Sequence, residues 1–415
     1  MITRREWLGL GGSALIAAAL SGDWSQAQVN ERYEADFDLP MFDIPGQIKT
    51  PVKIESIELL KRGSNYFVRT RSTDGAVGIS PTKQVEDFIP IFRHLVAPYF
   101  IGKDARDIET LVNGVYVENY KMASIPFWCP VAYCEQSCLD LLGRVANKSV
   151  GAMLGGVVRN KIPVYLSGSD RILKAEDEVD VYVRGVAATG AKAVKFKIGG
   201  RMSGDLDAYP GRTETVLHEG RKRLGDKIIL YADANGSYDA KKGIEIGKMM
   251  ESLDYRFFEE PCPFEWLSET QEVAKALKIP VAFGEQNYSL WQFQWALTNG
   301  VMRIVQPDIN YNGGLIRAAR VAKIARKLGR TIVPHNTQTG VSSVNIVQFG
   351  SHTPNIGDFL EYPWRQPQRA ESWFTPNFMI KDGFIDVPPG PGLGIEIAPD
   401  YLATAEVVVK IEKRA

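Results

Sequence analysis

Cysteine, histidine and net charge are all scarce in this chain, and each scarcity removes a class of function. Four cysteines in 415 residues cannot form the dense disulfide framework of a small secreted domain. Cys134 and Cys138 stand one helical turn apart, and Leu139, Leu142 and Val145 continue an apolar face beside them, so they read as buried thiols. The four histidines, His94, His218, His335 and His352, show neither HxH nor HExxH spacing. Cys129, Cys134 and Cys138 match none of the paired-cysteine zinc patterns. Lys plus Arg and Asp plus Glu balance at 49 each, so bulk charge attracts neither nucleic acid nor an anionic membrane.

Long apolar runs are also missing. The nearest, Trp7 to Leu20, is too short for a comfortable membrane span. It follows Arg4 and Arg5 and precedes small residues at Ser25 and Ala27 that suit cleavage before Gln28, the layout of an export signal. Thr3-Arg4-Arg5-Glu6-Trp7-Leu8 resembles the twin-arginine signal, which carries folded proteins across a membrane. The expectation is therefore a periplasmic or otherwise exported bacterial protein with no stable membrane insertion after cleavage. An ordinary Sec signal is the alternative.

What the chain does have is a rhythm. Short runs rich in β-branched and aromatic residues, among them AVKFKIGG, IILYADANG, FFEEP, VAFGEQ, IVQPDI, TIVPHN and FLEYP, each precede a longer segment of helical periodicity, as in βα units. Lys197, Asp233, Glu259, Glu285, Asp308, His335 and Glu361 fall at or just beyond the C-terminal ends of these runs, where a parallel barrel gathers its active-site groups. From Asp233 onward the steps are 26, 26, 23, 27 and 26 residues, the length of a strand, a helix and two short loops. The first step, 36 residues from Lys197, is longer because Gly199 to Arg212 forms an extended βα loop. Ahead of the barrel, two strands joined at Arg62-Gly63-Ser64 and a third entered through Asp74-Gly75 read as the sheet of an α+β cap. The divisions expected are an export segment over 1–27, a polar arm over 28–51, the cap over 52–155, the barrel over 156–364 and a C-terminal segment, 365–415, that returns to the cap.

The clustered residues imply chemistry. Three carboxylates from consecutive strands, Asp233, Glu259 and Glu285, would repel one another at a barrel mouth unless a cation joined them. All-oxygen ligation with room left for water and substrate favours Mg²⁺. Lys195 and Lys197 alternate with Phe196, so both face the barrel mouth. Asp308 and His335 come from adjacent strands, and a carboxylate that holds an imidazole fixes its tautomer and raises its basicity. Lysine on one side of a cation and histidine on the other can move protons on opposite faces of a carbon next to a carboxylate.

At these residues the chain resembles the enolase superfamily, in its mandelate racemase-like subgroup. The pattern is Lys195-Phe196-Lys197, Asp233-Ala234-Asn235, Glu259-Glu260-Pro261, Gly284-Glu285, Gln306-Pro307-Asp308, His335 and Glu361. Cys138 to Gly156 looks like that family's helix from cap to barrel, and Pro391 to Ile397 like its closing segment. The resemblance, over roughly residues 52 to 400, implies a modified (β/α)7β TIM-type barrel under an N-terminal α+β cap completed by the C-terminal segment. It implies Mg²⁺ on Asp233, Glu259 and Glu285, bridging substrate carboxylate oxygens and stabilising an enediolate. Lys197 is then a general base, with Lys195 beside it lowering its pKa and touching the substrate carboxylate. His335, oriented by Asp308, is the second acid/base, Glu361 a donor to the enediolate if protonated, and Asn235 and Glu260 supporting groups.

Dehydration of a sugar acid is the leading expectation, with a racemase or epimerase of a 2-hydroxy acid as the alternative. A non-catalytic carbohydrate-binding protein on the same barrel, and a Schiff-base aldolase using Lys195 or Lys197, are readings from other classes. The partner expected is a small carboxylate, within a homo-oligomer. The hairpin turn Arg62 to Asn65 is too short for the long capping loop of many relatives, so substrate contacts are expected from the Pro81 region, from Phe127-Trp128 or from a neighbouring subunit.

Overall fold

Gly63, with φ of +59°, makes the tight turn between strand β1 (Ile54–Arg62) and β2 (Asn65–Ser72), a conformation that glycine adopts without a steric penalty. With β3 (Val77–Pro81) they form a meander. The computed structural model describes residues 40–413 apart from 84, 169, 170, 365 and 366; the export segment expected over 1–27, and most of the polar arm, lie outside the described residues. Two longer helices follow, α1 (Ile108–Glu118) and α2 (Ile125–Ala146). The second is buried along most of its length and ends at Asn147 in the left-handed conformation (φ +51°), a common helix stop. Cys129, Cys134 and Cys138 lie on it, and with Cys262 they are free, buried thiols.

The barrel then runs without interruption. Its elements are β4 (Lys161–Ser167), α3 (Ala175–Thr189), β5 (Ala193–Lys197), α4 (Arg212–Leu224), β6 (Ile229–Asp233), α5 (Ala240–Ser252), β7 (Tyr255–Glu259) and α6 (Leu267–Ala276). They continue as β8 (Val281–Phe283), α7 (Leu290–Thr298), β9 (Ile304–Val305), α8 (Leu315–Lys327), β10 (Thr331–Ile332), α9 (Val344–His352) and β11 (Leu360–Pro363). Neighbours from β4 to β10 pair in parallel, and β11 returns to pair with β4, so seven βα units and a last strand make the (β/α)7β barrel. The 36-residue step is indeed lengthened by a loop, from Ile198 to Gly211, ahead of α4.

Register sets the site. Lys197 is level with Asp233, and Asp233 with Glu259, so three charged side chains emerge at one height. Two residues below them, the rings of Tyr231 and Phe257 stack at 3.9 Å, and Tyr165 meets Tyr231 edge-on. That aromatic layer plugs the barrel and gives the charges a dry floor.

The tail divides its pairing. Strand β12 (Phe384–Asp386) lies antiparallel on Lys161 to Pro163, the part of β4 that neither β5 nor β11 reaches, and so covers an otherwise open edge. Only β13 (Glu406–Glu412) enters the cap sheet, antiparallel to β1. Among the described residues, no helix is long and apolar enough to cross a membrane.

Candidate active site

Asp233, Glu259, Glu285, Asp308 and His335 sit where a strand gives way to its loop, Lys195 and Glu361 stand inside β5 and β11, and the backbone at the rim is strained in two places. Asn235 and Glu260 hold φ of +43° and +41°, a conformation that costs a non-glycine residue about 1 kcal/mol or more. The turn lets the Asn235 amide donate to Asp233 Oδ1 at 2.8 Å, which aims the other carboxylate oxygen inward. Asp308 is held the same way, accepting from the amides of Asn310 (2.8 Å) and Tyr311 (3.1 Å).

Around the carboxylates, Lys195 Nζ lies 2.7 Å from Glu259, 2.8 Å from Glu361 and 3.8 Å from Asp233. Lys197 Nζ pairs with Asp233 and reaches Asn235 Oδ1 at 3.2 Å. His335 Nδ1 is 2.9 Å from Asp308 Oδ2, and its Nε2 stands 3.4 Å from Glu285 Oε2. The Asn336 amide donates to Glu361 Oε2 at 2.9 Å, and Asn235 Nδ2 to Glu260 Oε2 at 3.3 Å. All ten residues singled out in the sequence therefore meet in one cluster. Lys197, Asn235, Glu285, His335 and Glu361 line a cavity of about 530 Å³, and the others back it.

Burial and charge set the protonation states. Although burial pushes Asp233 up, Lys197 and Lys195 hold it below the usual carboxylate range. Burial, followed by the charge of Asp233, pushes Glu259 up. Burial works against a charged His335, but Glu285 and the bond to Asp308 outweigh it and raise its pKa. For Lys195, burial is overcome by Glu259 and Glu361, which keep it charged, so it is no neutral amine for a Schiff base. Glu361 is likewise buried yet held below its usual range by Lys195. It accepts from Lys195 and from the Asn336 amide here, and the donor role, expected only if it is protonated, requires breaking its pair with Lys195.

The donor set fits a hard cation. Ligand oxygens of Asp233, Glu259 and Glu285 lie within 4.8 Å of one another, within reach of an ion whose bonds are about 2.1 Å after small side-chain rotations. Glu259 Oε1 and Glu285 Oε2 are buried and accept no hydrogen bond, the latter with only the His335 imidazole 3.4 Å away, so a cation would satisfy lone pairs that no hydrogen bond meets.

Three groups at the site escaped the sequence reading, and Gln306, named there in the pattern, had no role assigned. Lys83, after β3, reaches down from the cap to Asp308 Oδ2 at 2.5 Å and competes with His335 for that oxygen. Gln306 Nε2 donates to Glu259 Oε2 at 2.8 Å. Arg171 and Arg201 approach Asn235 Oδ1 at 3.0 and 3.5 Å. The place of Lys83 just past Pro81 was the available signal; the arginines sit in loops, where no periodicity points. Phe127 and Trp128 are buried and are not among the residues lining the cavity, Trp128 lying between Tyr116 (rings 5.3 Å apart) and the Arg317 guanidinium at 3.7 Å.

Known proteins are similar to this chain in sequence and fold. The Enolase C-terminal domain-like family matches residues 178–401. Arabinonate dehydratase of Saccharolobus solfataricus is 28% identical over 366 residues, 85% of this chain and 91% of that protein. A candidate racemase from Roseobacter denitrificans superposes with a TM-score of 0.82 at 31% identity, covering 87% of this chain and all of that one. A mandelate racemase/muconate lactonizing protein from Paracoccus denitrificans PD1222, complexed with magnesium, has a TM-score of 0.79 at 28% identity and covers 87% of this chain and 98% of that one.

Proposed function

This chain belongs to the Enolase C-terminal domain-like family, in the mandelate racemase-like branch of the enolase superfamily, and is an enzyme; from that premise we propose that it dehydrates an acid sugar by taking the proton next to its carboxylate. One observation carries the reading. Lys197 and His335 line the same cavity on opposite sides of the carboxylate trio, Lys197 against Asp233 and His335 against Glu285.

In this mechanism the substrate carboxylate enters between them and Lys197 or His335 accepts the α-proton. The C–H electron pair moves into the carboxylate to give an enediolate, and its collapse expels the β-hydroxyl. His335 as imidazolium gives that hydroxyl a proton, water leaves, and the enol becomes a 2-keto acid. Asp308 holds the imidazole by Nδ1 so that Nε2 faces the substrate. Mg²⁺ on Asp233, Glu259 and Glu285 would supply the positive charge that an α-carbon of such weak acidity requires; the magnesium complex of the Paracoccus relative supports this choice of ion. A racemase or epimerase needs the same two groups and no leaving group, and the Roseobacter relative favours it as second reading. The complete acid/base and carboxylate set argues against a non-catalytic sugar-binding protein.

We also infer a homo-oligomer. Trp291 and Trp295, one turn apart on α7, are 62% and 49% exposed, a face rich in the residue type that anchors interfaces. Light scattering at working concentration tests it, and a monomer there would end the inference.

The test of the chemistry is a panel of hydroxy acids in D₂O with Mg²⁺, scoring deuterium at the α-carbon and keto acid together. For a dehydratase, one of Lys197→Ala and His335→Asn still exchanges the α-proton yet forms no keto acid. For a racemase, each variant blocks exchange from one enantiomer only. Wild-type turnover in both variants would refute the two-base layout.

A further inference from the structure

The barrel mouth continues past the catalytic cavity. A second cavity, of about 700 Å³, adjoins the first, and Thr337, Thr339, Ser342 and Pro363 line both. Three of these carry hydroxyls and stand in the segment that leaves His335, so the catalytic imidazole and the shared wall belong to one stretch of chain. Each cavity falls within the roughly 300–1,000 Å³ of a small-molecule site. A single six-carbon acid does not need both.

The second cavity is built for a polar, ring-shaped guest. Trp373 lines it and is held flat against Tyr401, with ring centroids 4.3 Å apart and planes within 13°, so it is an aromatic surface fixed in advance. Met379 lines the cavity as well. Among the described residues, the hydroxyls of Thr337, Thr339 and Ser342 and the guanidinium of Arg369 make no hydrogen bond or ion pair within the protein. A row of free hydroxyls shared by two cavities can donate to and accept from a chain of ligand hydroxyls. The short β1–β2 turn matters too. Asn65, immediately after it, lines the second cavity, at the point where a longer turn would fold over the entrance.

We propose that this second cavity seats a glycosyl unit, so that the substrate is an acid sugar bearing a further sugar beyond the reacting carbons, a disaccharide acid. The inference rests on the acid-sugar reading above and narrows its substrate class. A glycosyl group on O4 leaves the C2 proton and the C3 hydroxyl free. Elimination then releases one water and gives a 2-keto acid with the glycosidic bond intact.

The experiment compares aldonic acids, gluconate and galactonate among them, with 4-O-glycosyl acids such as cellobionate, lactobionate and maltobionate, using the full-length protein and Mg²⁺. Deuterium uptake and keto acid are both scored. At least one glycosyl acid is expected to exceed its parent acid tenfold or more in kcat/KM. Met379→Trp, which fills the second cavity, should erase that advantage, and Arg369→Ala should reduce it severalfold through KM. Both should keep the parent-acid rate, which also reports that they are folded. Parent acids as good as every glycoside, or an advantage that survives Met379→Trp, overturns the second subsite and leaves the acid-sugar reading standing. If no acid of either kind exchanges its α-proton, the acid-sugar reading falls and the subsite with it.

Discussion

Glu259 divides its two oxygens between opposite environments: Oε2 accepts from Lys195 and Gln306 at 2.7 and 2.8 Å, while Oε1 is buried and meets no donor. Glu259→Gln keeps the shape, keeps an acceptor for Lys195 and removes one of the charges that crowd the site. We expect Mg²⁺ affinity to fall by at least about tenfold and activity to fall with it, while the melting temperature of the metal-free protein does not drop. Calorimetric titration with Mg²⁺ beside a thermal melt reads both, and unchanged affinity with full activity would remove Glu259 from the ligand set. His352 serves stability instead. Burial, helped by the charge of Arg159, lowers its pKa from an ordinary 6.5 to about 4, its rings neighbours are Phe42 and Phe349, and its Nε2 has no partner. Between these two values the unfolded chain binds the proton and the folded chain does not, so stability falls as pH drops from 6.5 to 4, by about 3 kcal/mol in all. Denaturant melts at pH 7 and pH 4.5 should show this loss shrinking in His352→Phe. An identical pH slope in the variant would assign the loss to other groups.

At the scale of elements, the two flanking segments that resembled the family's linking helix and closing segment turn out to hold each other. Asp140 on α2 accepts from the Leu393 amide at 2.7 Å and, through its other oxygen, from the Ile79 amide of β3 at 2.8 Å. One buried carboxylate thus joins cap sheet, helix and tail. Gly392 has φ of +64°, and a Cβ there would fall 2.1 Å from Asp140 Oδ1. Gly392→Ala should therefore destabilise by about 2 kcal/mol or more and lower the melting temperature by several degrees with KM little changed; a melt at the wild-type temperature would show that the tail relaxes freely. The barrel was legible in the sequence because each unit repeats one pattern, a buried run such as Ala193 to Lys197 followed by an amphipathic helix. The convergence of the charged strand ends was legible because parallel strands of equal step finish at one rim. Pairings without a repeat left no such trace. Strand β12 on the lower half of β4, Lys83 against Asp308, and Arg171 and Arg201 on Asn235 depend on where loops cross in space, and spacing along the chain does not encode that. The state of Glu361 was left open for a related reason: its pairing with Lys195, 2.8 Å away, is a distance and not a motif.

For the molecule as a whole, the first strand of the cap pairs with the last strand of the chain, Ser56 opposite Glu412 and Lys61 opposite Glu406. The cap sheet is therefore incomplete until nearly all of the chain has been synthesised, and contacts so distant in sequence form slowly. All four thiols are free and buried, so the fold asks for no oxidising compartment, and a cation site of three carboxylates is best loaded where the metal supply is controlled. These features suit a chain that folds before any export. We propose that Arg4 and Arg5 direct export by the twin-arginine route. Replacing both with lysine keeps the positive charge that a Sec signal requires but removes the paired guanidinium groups, whose planar donor geometry lysine does not reproduce. The double variant should remain in the cytoplasm as full-length precursor, and cytoplasmic extracts should show the wild-type rate of α-proton exchange per molecule, since every group of the site lies between Lys83 and Glu361. Fractionation with an antibody to the C-terminal segment reads the location, and the D₂O assay reads the activity. Normal export of the double-lysine protein would assign the segment to the Sec route and leave the barrel chemistry untouched.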